Sequence, residues 1–294
     1  MRVAFLGLGI MGSRMAANLA GAGFGLTVWN RSAVRAEEFA ASHAGVEVAA
    51  SPQAAATDVE VVVSMVVDGP QVEAILLGDD GAAAGARPGT LFLDCSTIGP
   101  ENARRIGAAL EERSLTLLDA PVTGSSPRAE AGTLTIMVGG PEDGFERARP
   151  VLEAMGSLIV YAGELGQGQL VKVINNAVAV SNAAVLAESL LVAKRAGADL
   201  DALVQVMAAG SGGSVMLDLK AEPMRRHDFT TLFKLDHMLK DVRLCLEAAE
   251  AAGIGFDFAQ RSEQILARAA ADGHGEEDFA ALIEVLEDAT ETHL

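Results

Sequence analysis

Positive charge is what this sequence of 294 residues has least of: 22 Lys and Arg stand against 40 Asp and Glu, a formal net charge of −18. The deficit is even. Residues 1–163 carry 11 basic and 19 acidic side chains, and the remainder 11 and 21. With no basic half, tail or stripe, the chain has no electrostatic footprint for nucleic acid and nothing to draw it to an anionic membrane. Its apolar runs look too short, or too interrupted by polar residues, to span a bilayer. The start, MRVAFLGLG, runs into a glycine turn and not into a signal-peptide cleavage site. The only two cysteines, Cys95 and Cys245, lie far apart, so no disulfide framework is expected and a reducing cytoplasm is the default. The five histidines are scattered, with no metal-ligand spacing. Aromatics make up 4% of the chain. Lysine is rarer still: 17 arginines but 5 lysines, none of them before Lys172. Each lysine is therefore slightly informative.

What remains is an Ala- and Gly-rich globular composition long enough for two domains. Up to Gly163, short apolar runs alternate with helical stretches. Strands are expected at 2–6, 26–30, 59–66, 90–94, 115–119, 134–140 and 157–161. Helices are expected at 13–23, at 32–43 with Ser32 as N-cap, near 70–78 and at 101–113. Apolar strands separated by helices argue for a parallel sheet covered on both faces. The segment 120–133, rich in Pro, Gly and Ser, breaks this rhythm. After Gly163 only helices follow: 166–195, 200–210, 235–252, 257–272 and 276–290. The expected fold is an α/β Rossmann-type doubly wound domain over 1–163, then an all-α domain over 164–294 led by one long helix.

The first strand ends in GLGIMG. Leaving a strand and opening a helix, this spacing is a dinucleotide-binding signal. Gly7 permits the tight turn, Gly9 the approach of a pyrophosphate, and Gly12 close helix–strand packing. The helix start, with Ile10 and Met11, offers N–H groups to phosphates. The second strand ends in WNRS. An NAD-preferring site usually carries an acid there; Asn30 cannot repel a 2′-phosphate, while Arg31, beside Ser32, can pair with one. NADP is therefore expected, with NAD bound more weakly. SMVVDG, with Met65 and Val66, and LDCSTIGP, with Ser96 and Thr97, follow further strands. They are expected at the cofactor or the substrate, or at the cap of the helix opening near Pro100.

In GQGQLVKVINN (166–176), Lys172 and Asn176 are four apart and share one helix face. A lysine near a helix start, partly buried, is pushed toward its neutral form, where it can donate and accept a proton; arginine cannot. From spacing alone, a snorkelling lysine fits as well.

VAFLGLGIMGSRMAANL (3–19), DAPVTGSSPRAEAGTLTIMVGG (119–140), GQGQLVKVINN and FKLDHMLKDVRLCLEAA (233–249) together resemble the β-hydroxyacid dehydrogenase family. The resemblance implies a cleft between the two domains, with Lys172 as general acid/base and Asn176 assisting at the substrate. It also implies that Thr97 and Lys240 contact cofactor or substrate, and that the loop Thr123-Gly124-Ser125 holds a substrate carboxylate. The family's usual loop is Ser-Gly-Gly; the Gly-Ser form here is more similar to its glyoxylate/succinic semialdehyde reductase branch than to its 3-hydroxyisobutyrate branch, with 3-hydroxyisobutyrate or tartronate semialdehyde as alternative substrates. The reaction expected is hydride transfer between NADP(H) and a small carboxylate bearing an aldehyde or hydroxyl, with no metal. A cytoplasmic homodimer or homotetramer is expected. The alternatives are a relative acting on an imine or a phosphorylated sugar acid, and a non-catalytic cofactor-binding scaffold.

Overall fold

The computed structural model describes all 294 residues. Its order is β1 (Arg2–Leu6), α1 (Ile10–Gly21), β2 (Gly25–Trp29), α2 (Ala33–Ser42), β3 (Glu47–Val48), α3 (Pro52–Ala55), β4 (Val61–Ser64), α4 (Gly69–Leu77), α5 (Ala82–Gly85), β5 (Leu91–Asp94), α6 (Pro100–Glu111), β6 (Thr116–Asp119), β7 (Val122–Thr123), α7 (Ser125–Glu130), β8 (Leu134–Gly139), α8 (Glu142–Met155) and β9 (Gly156–Gly163). Helices follow: α9 (Gln167–Ala196), α10 (Leu200–Ala209), α11 (Val215–Arg226), α12 (Leu235–Ala251), α13 (Asp257–Ala269) and α14 (Leu282–Thr290). Contacts divide the chain into residues 1–172 and 173–294.

In the first unit the strands line up as β3-β2-β1-β4-β5-β6-β8-β7, with β9 on β8. β1 to β6 are parallel. Alternate residues feed two cores. Val3, Phe5, Val61, Val63, Leu91 and Leu93 pack on one face; Ala4, Leu6, Val62, Phe92 and Leu117 pack on the other. Both faces are apolar because helices cover both. The expectation of a wholly parallel sheet fails at one edge. The stretch 120–133 holds β7 and α7, and β8 runs antiparallel to both β6 and β7. Only two residues separate β6 from β7, and both strands lie antiparallel on β8, so β7 carries on in the direction of β6; the chain reverses through α7 and returns as β8.

The second unit is helical. Val173, Ala177, Val180, Ala184, Ala187 and Leu191 put one stripe of α9 into its core. A buried ion pair, Lys220 Nζ to Asp278 Oδ1 at 2.6 Å, ties α11 to the turn before α14. Contrary to the sequence reading, α9 is long and apolar enough to cross a membrane by length and composition. Half of its most apolar stretch is buried inside the protein, as in a core helix. Five helices escaped the sequence reading: the short α3, α5 and α7, and two longer ones, α8 with Pro150 in it and α11 with Pro223. The expected helix 276–290 begins only at Leu282, after a single 3₁₀ turn at Phe279–Ala281. The expected helix 257–272 leaves α geometry at Ala270, and Gly273 takes φ 107°. Ser32 does occupy the N-cap of α2, but its side chain makes no capping hydrogen bond.

Across the sheet, Trp29, Leu6, Ser64, Asp94 and Asp119 stand in one register row at the carboxyl ends of β2, β1, β4, β5 and β6. Three of the five are polar, and all three are buried. Asp94 Oδ1 accepts from Ser64 Oγ at 2.7 Å, Ser96 Oγ at 2.8 Å and the Ser96 N–H at 3.3 Å. Its Oδ2 is buried with no partner. Burial, with some help from the charge of Asp119, raises the Asp94 carboxyl from 3.8 to about 7, against the hydrogen bonds from Ser64 and Ser96. The neighbouring thiol of Cys95 is also pushed up by burial, so it is no nucleophile.

Unfolded, Asp94 ionises near pH ~4. Between there and about 7 the folded chain keeps a proton that the unfolded chain releases. The stability this group contributes is therefore full at low pH and falls as pH rises through that window, then levels off. Asp94→Asn carries no such proton. The difference in unfolding free energy, wild type minus variant, is expected to decline between pH 5 and 7 and stay flat from 7 to 8.5. Denaturant melts giving parallel curves over pH 5–7 would contradict a protonated Asp94.

Candidate functional site

The row of strand ends places the predicted loops on one edge of the first unit. β1 is flanked by β2 and β4, where the strand order reverses, and ligands of such sheets bind outside the carboxyl ends at that point. The ladder closes in step: Gly7 N–H donates to Trp29 O, Met65 N–H to Leu6 O, Cys95 N–H to Ser64 O and Ala120 N–H to Asp94 O, at 2.7–2.9 Å. Residues 7–12, 30–32, 65–66 and 96–97 thus leave the sheet side by side.

Two of the three loop glycines are needed by the protein itself. Gly7 has φ +102°, and a Cβ there would lie 2.4 Å from Met65 O; one on Gly12 would lie 2.0 Å from Gly7 O. Gly9 differs. Its backbone is extended (φ −75°, ψ −166°), and a Cβ would meet nothing within 4 Å. Nothing inside the chain calls for glycine at 9; the open space lies at the N-terminus of α1, where a pyrophosphate would need to come close. The first turn of α1 has no acidic residue, and Ile10 and Met11 present N–H groups without intrahelical partners there. The residues fit a dinucleotide.

Asn30 has a second duty that was not foreseen. Its Oδ1 accepts from Leu8 N–H at 2.9 Å and its Nδ2 donates to Ser32 O at 3.1 Å, so it fastens the end of β2 to the glycine loop. Arg31 and Ser32 are exposed beside it. Met65 and Val66 are half-buried. Ser96 corrects an expectation: its side chain is fully buried, and its hydroxyl accepts from Val66 N–H at 2.9 Å while donating to Asp94. It braces the two loops from beneath and is not placed to touch a substrate. Thr97, the next residue, is half-buried. Neither residue caps α6, whose N-cap is Gly99.

The start of α9 is anchored by a carboxylate. Asp119 Oδ1 accepts from Gly166 N–H at 2.7 Å and Oδ2 from Gln169 N–H at 2.6 Å. Gly139 and Gly168 make room, since a Cβ on either would come within 2.7 Å of an Asp119 carboxylate oxygen. Burial raises the Asp119 carboxyl, and the two N–H groups pull it back toward the charged form. The Gln169 side chain, fully buried, accepts from Ile98 N–H at 2.9 Å and Gly99 N–H at 3.1 Å and donates to Ser96 O at 2.8 Å. One turn later comes Lys172, only 7% exposed. Thr123 ends β7, Gly124 has φ +137°, and Ser125 opens α7 with φ 57°, a left-handed turn carried by a residue other than glycine.

In the second unit Asn176 and Lys240 share one buried acid that the sequence reading passed over. Asp241 accepts from Lys240 Nζ on Oδ1 at 2.7 Å and from Asn176 Nδ2 on Oδ2 at 2.6 Å. One turn earlier on α12, His237 is lowered by burial and by Lys240, so its imidazole favours the neutral form. Asp94, Asp119 and Gln169 were missed as well. Their signal was polarity in apolar surroundings: an acid ending each of two buried strands, and a glutamine inside GQGQLV.

A model of the NAD binding domain of 6-phosphogluconate dehydrogenase matches residues 2–163, and a model of the NAD-binding domain of NADP-dependent 3-hydroxyisobutyrate dehydrogenase matches residues 166–286. The chain is 38% identical over 289 residues to an NAD-dependent L-serine dehydrogenase of Pseudomonas aeruginosa, covering 96% of each. It is 36% identical over 287 residues to a 2-hydroxy-3-oxopropionate reductase of Escherichia coli, covering 98% of this chain and 97% of the other. The structure of a Mycobacterium tuberculosis 3-hydroxyisobutyrate dehydrogenase with L-serine superposes with a TM-score of 0.88 at 36% identity, over 97% of this chain and 99% of that one. Taken with a sheet whose strand ends carry a dinucleotide loop, these likenesses show that the chain belongs to the β-hydroxyacid dehydrogenase family of NAD(P)-dependent oxidoreductases.

Proposed function

We propose that the chain interconverts a small semialdehyde or 2-oxo carboxylate and its hydroxyacid, preferring NADP(H), with Lys172 as general acid/base. One observation carries the reading: a buried lysine stands one turn beyond a helix start that is hydrogen-bonded to the loop bearing Thr97. A bound nicotinamide supplies the hydride chemistry. Lys172 Nζ gives a proton to the carbonyl oxygen as negative charge builds there in reduction, and takes it back in oxidation. Asn176, one turn along the same helix face, orients the amine or bonds the same oxygen. Thr123, Gly124 and Ser125 hold the carboxylate by backbone N–H groups and hydroxyls, and Lys240 adds charge. The Gly124-Ser125 pair, by its resemblance to the glyoxylate/succinic semialdehyde reductase branch, favours glyoxylate or succinic semialdehyde over 3-hydroxyisobutyrate, with tartronate semialdehyde and L-serine as further candidates. An assay of these substrates with NADPH or NADP+ tests that order. Lys172→Ala should lower kcat on the best of them by about 10²–10⁴ with little change in cofactor affinity. Near-full turnover would remove the lysine from the mechanism.

The cofactor preference rests on exposed Arg31 beside Asn30, where no acid repels a 2′-phosphate. A relative is an NAD-dependent L-serine dehydrogenase, so the preference needs its own test. A charge-assisted hydrogen bond of roughly 1.5–3 kcal/mol corresponds to roughly 10- to 150-fold in affinity. Arg31→Ala should raise the KM for NADPH by about that factor and leave NADH almost unchanged. Equal weakening of both cofactors would make Arg31 an ordinary surface charge.

Self-association is proposed through α9. Val171, Val178, Val185 and Val192 are all exposed, seven residues apart on one side of that helix, with Ile174 among them. A seven-residue apolar repeat is the spacing with which helices pair. Val185→Asp with Val192→Asp should convert a dimer or tetramer to smaller species in light scattering. A wild-type monomer at micromolar concentration would refute the proposal.

A further inference from the structure

Gln169 takes no part in the proton transfer proposed above, and nothing in the sequence reading singled it out. Its side chain is nevertheless heavily committed. Fully buried, it makes three side-chain hydrogen bonds, all to the backbone of residues 96–99. Its own N–H is held by Asp119 at 2.6 Å. The amide therefore reads both sexes of the loop's backbone at once. Oε1 takes the N–H groups of Ile98 and Gly99, and Nε2 meets the carbonyl of Ser96. A carboxamide offers that pairing without charge at any pH at which the protein is folded. The bonds bracket Thr97. On the helix, Gln169 and Lys172 are three apart and lie on neighbouring positions of one side. Asp119 fixes where α9 begins, Gln169 fixes where the loop lies against it, and Lys172 is the next turn.

We infer that Gln169 is a positioning residue, setting the distance between Lys172 and the loop that carries Thr97. The inference rests on the reading of Lys172 as general acid/base. Its consequence is geometric. A misplacement of about 1 Å between a proton donor and its target can cost on the order of 10²-fold in rate, while the glycine loop and Arg31, which would hold the cofactor's phosphates, leave β1 and β2 and not β5, whose loop Gln169 holds.

Two substitutions test this in the full-length enzyme. Gln169→Leu keeps the bulk and removes the amide. It should lower kcat by about 10- to 100-fold and change the Kd for NADPH, read by nucleotide fluorescence, by less than about threefold. In a Lys172→Ala background the same substitution should lower the residual rate by less than about threefold, since a misplaced lysine that is absent costs nothing. Gln169→Glu keeps the oxygen that accepts from Ile98 and Gly99 but sets a second oxygen against the Ser96 carbonyl. Ionised, that oxygen repels; protonated, it can donate. The kcat of Gln169→Glu should therefore climb toward the wild-type value as pH falls, a recovery that Gln169→Leu lacks. Wild-type kcat in Gln169→Leu would overturn the inference. So would the same fold loss with and without Lys172, which marks a structural role alone. If Gln169→Leu does not fold, a ratio of Gln169→Glu to wild-type kcat that is flat with pH does the same. Full activity in Lys172→Ala by itself would instead overturn the underlying reading of the lysine.

Discussion

One buried carboxylate organises much of the first unit. Asp119 ends the sixth parallel strand of the sheet and receives N–H groups that open a 30-residue helix. A helix start leaves N–H groups unpaired and carries partial positive charge, so an acid there answers both needs. The cost is desolvation, seen in the raised carboxyl. Side chains at 139 and 168 would press on Asp119 itself, so both positions are glycine. The GQG that precedes the lysine is thus explained by packing before any ligand is considered: Gly166 donates to the carboxylate and Gly168 leaves it room.

From that anchor the polar interior spreads along the row of strand ends. Asp94 sits next to Asp119 in register, and two like acids side by side in an apolar sheet cannot both be comfortably ionised. Burial raises both, and Asp94, which is wholly buried and has one oxygen without a partner, is raised to about 7, the charge of Asp119 adding to the effect of burial. Its other oxygen gathers Ser64 and Ser96, and Ser96 gathers Val66. The loops leaving β4 and β5 are therefore joined beneath the surface by a chain of hydrogen bonds that ends in a carboxyl group. Loops so fastened can hold a geometry that exposed loops of the same length could not.

How much of this was legible follows from the kind of signal each feature leaves. The Rossmann-type unit was readable because its strands are apolar throughout and its glycine loop has fixed spacing. Lys172 was singled out because the chain otherwise prefers arginine, and the structure buries it near the start of α9. Strand edges were read to within one or two residues where apolar runs end in Gly or Asp, as at Gly7 and Asp94. What stayed hidden had a local signal that pointed the wrong way. Pro150 and Pro223 masked two helices, although both sit inside helical stretches of the structure. The antiparallel return from β7 to β8 is made by residues 124–133, where the short helix α7 is masked by Gly, Ser and Pro and reads as loop.

The site shows the same division more sharply. Residues proposed to work at the surface of the loops, such as Gly9, Arg31 and Thr97, stand in motifs whose spacing announces them. Residues that hold those loops in place do not, because a hydrogen bond between positions 70 residues apart leaves no periodicity. Ser96 was assigned to the ligand for standing beside Thr97, yet it faces inward. Asp241 follows Lys240 directly and was overlooked, though it joins Lys240 to Asn176 across 65 residues of chain. Uncommon as fully buried acids and amides are, each must be matched by partners or pay in stability. A buried polar residue that ends a strand or opens a helix is therefore the place to look for what holds a site together, even when its own chemistry never reaches the substrate.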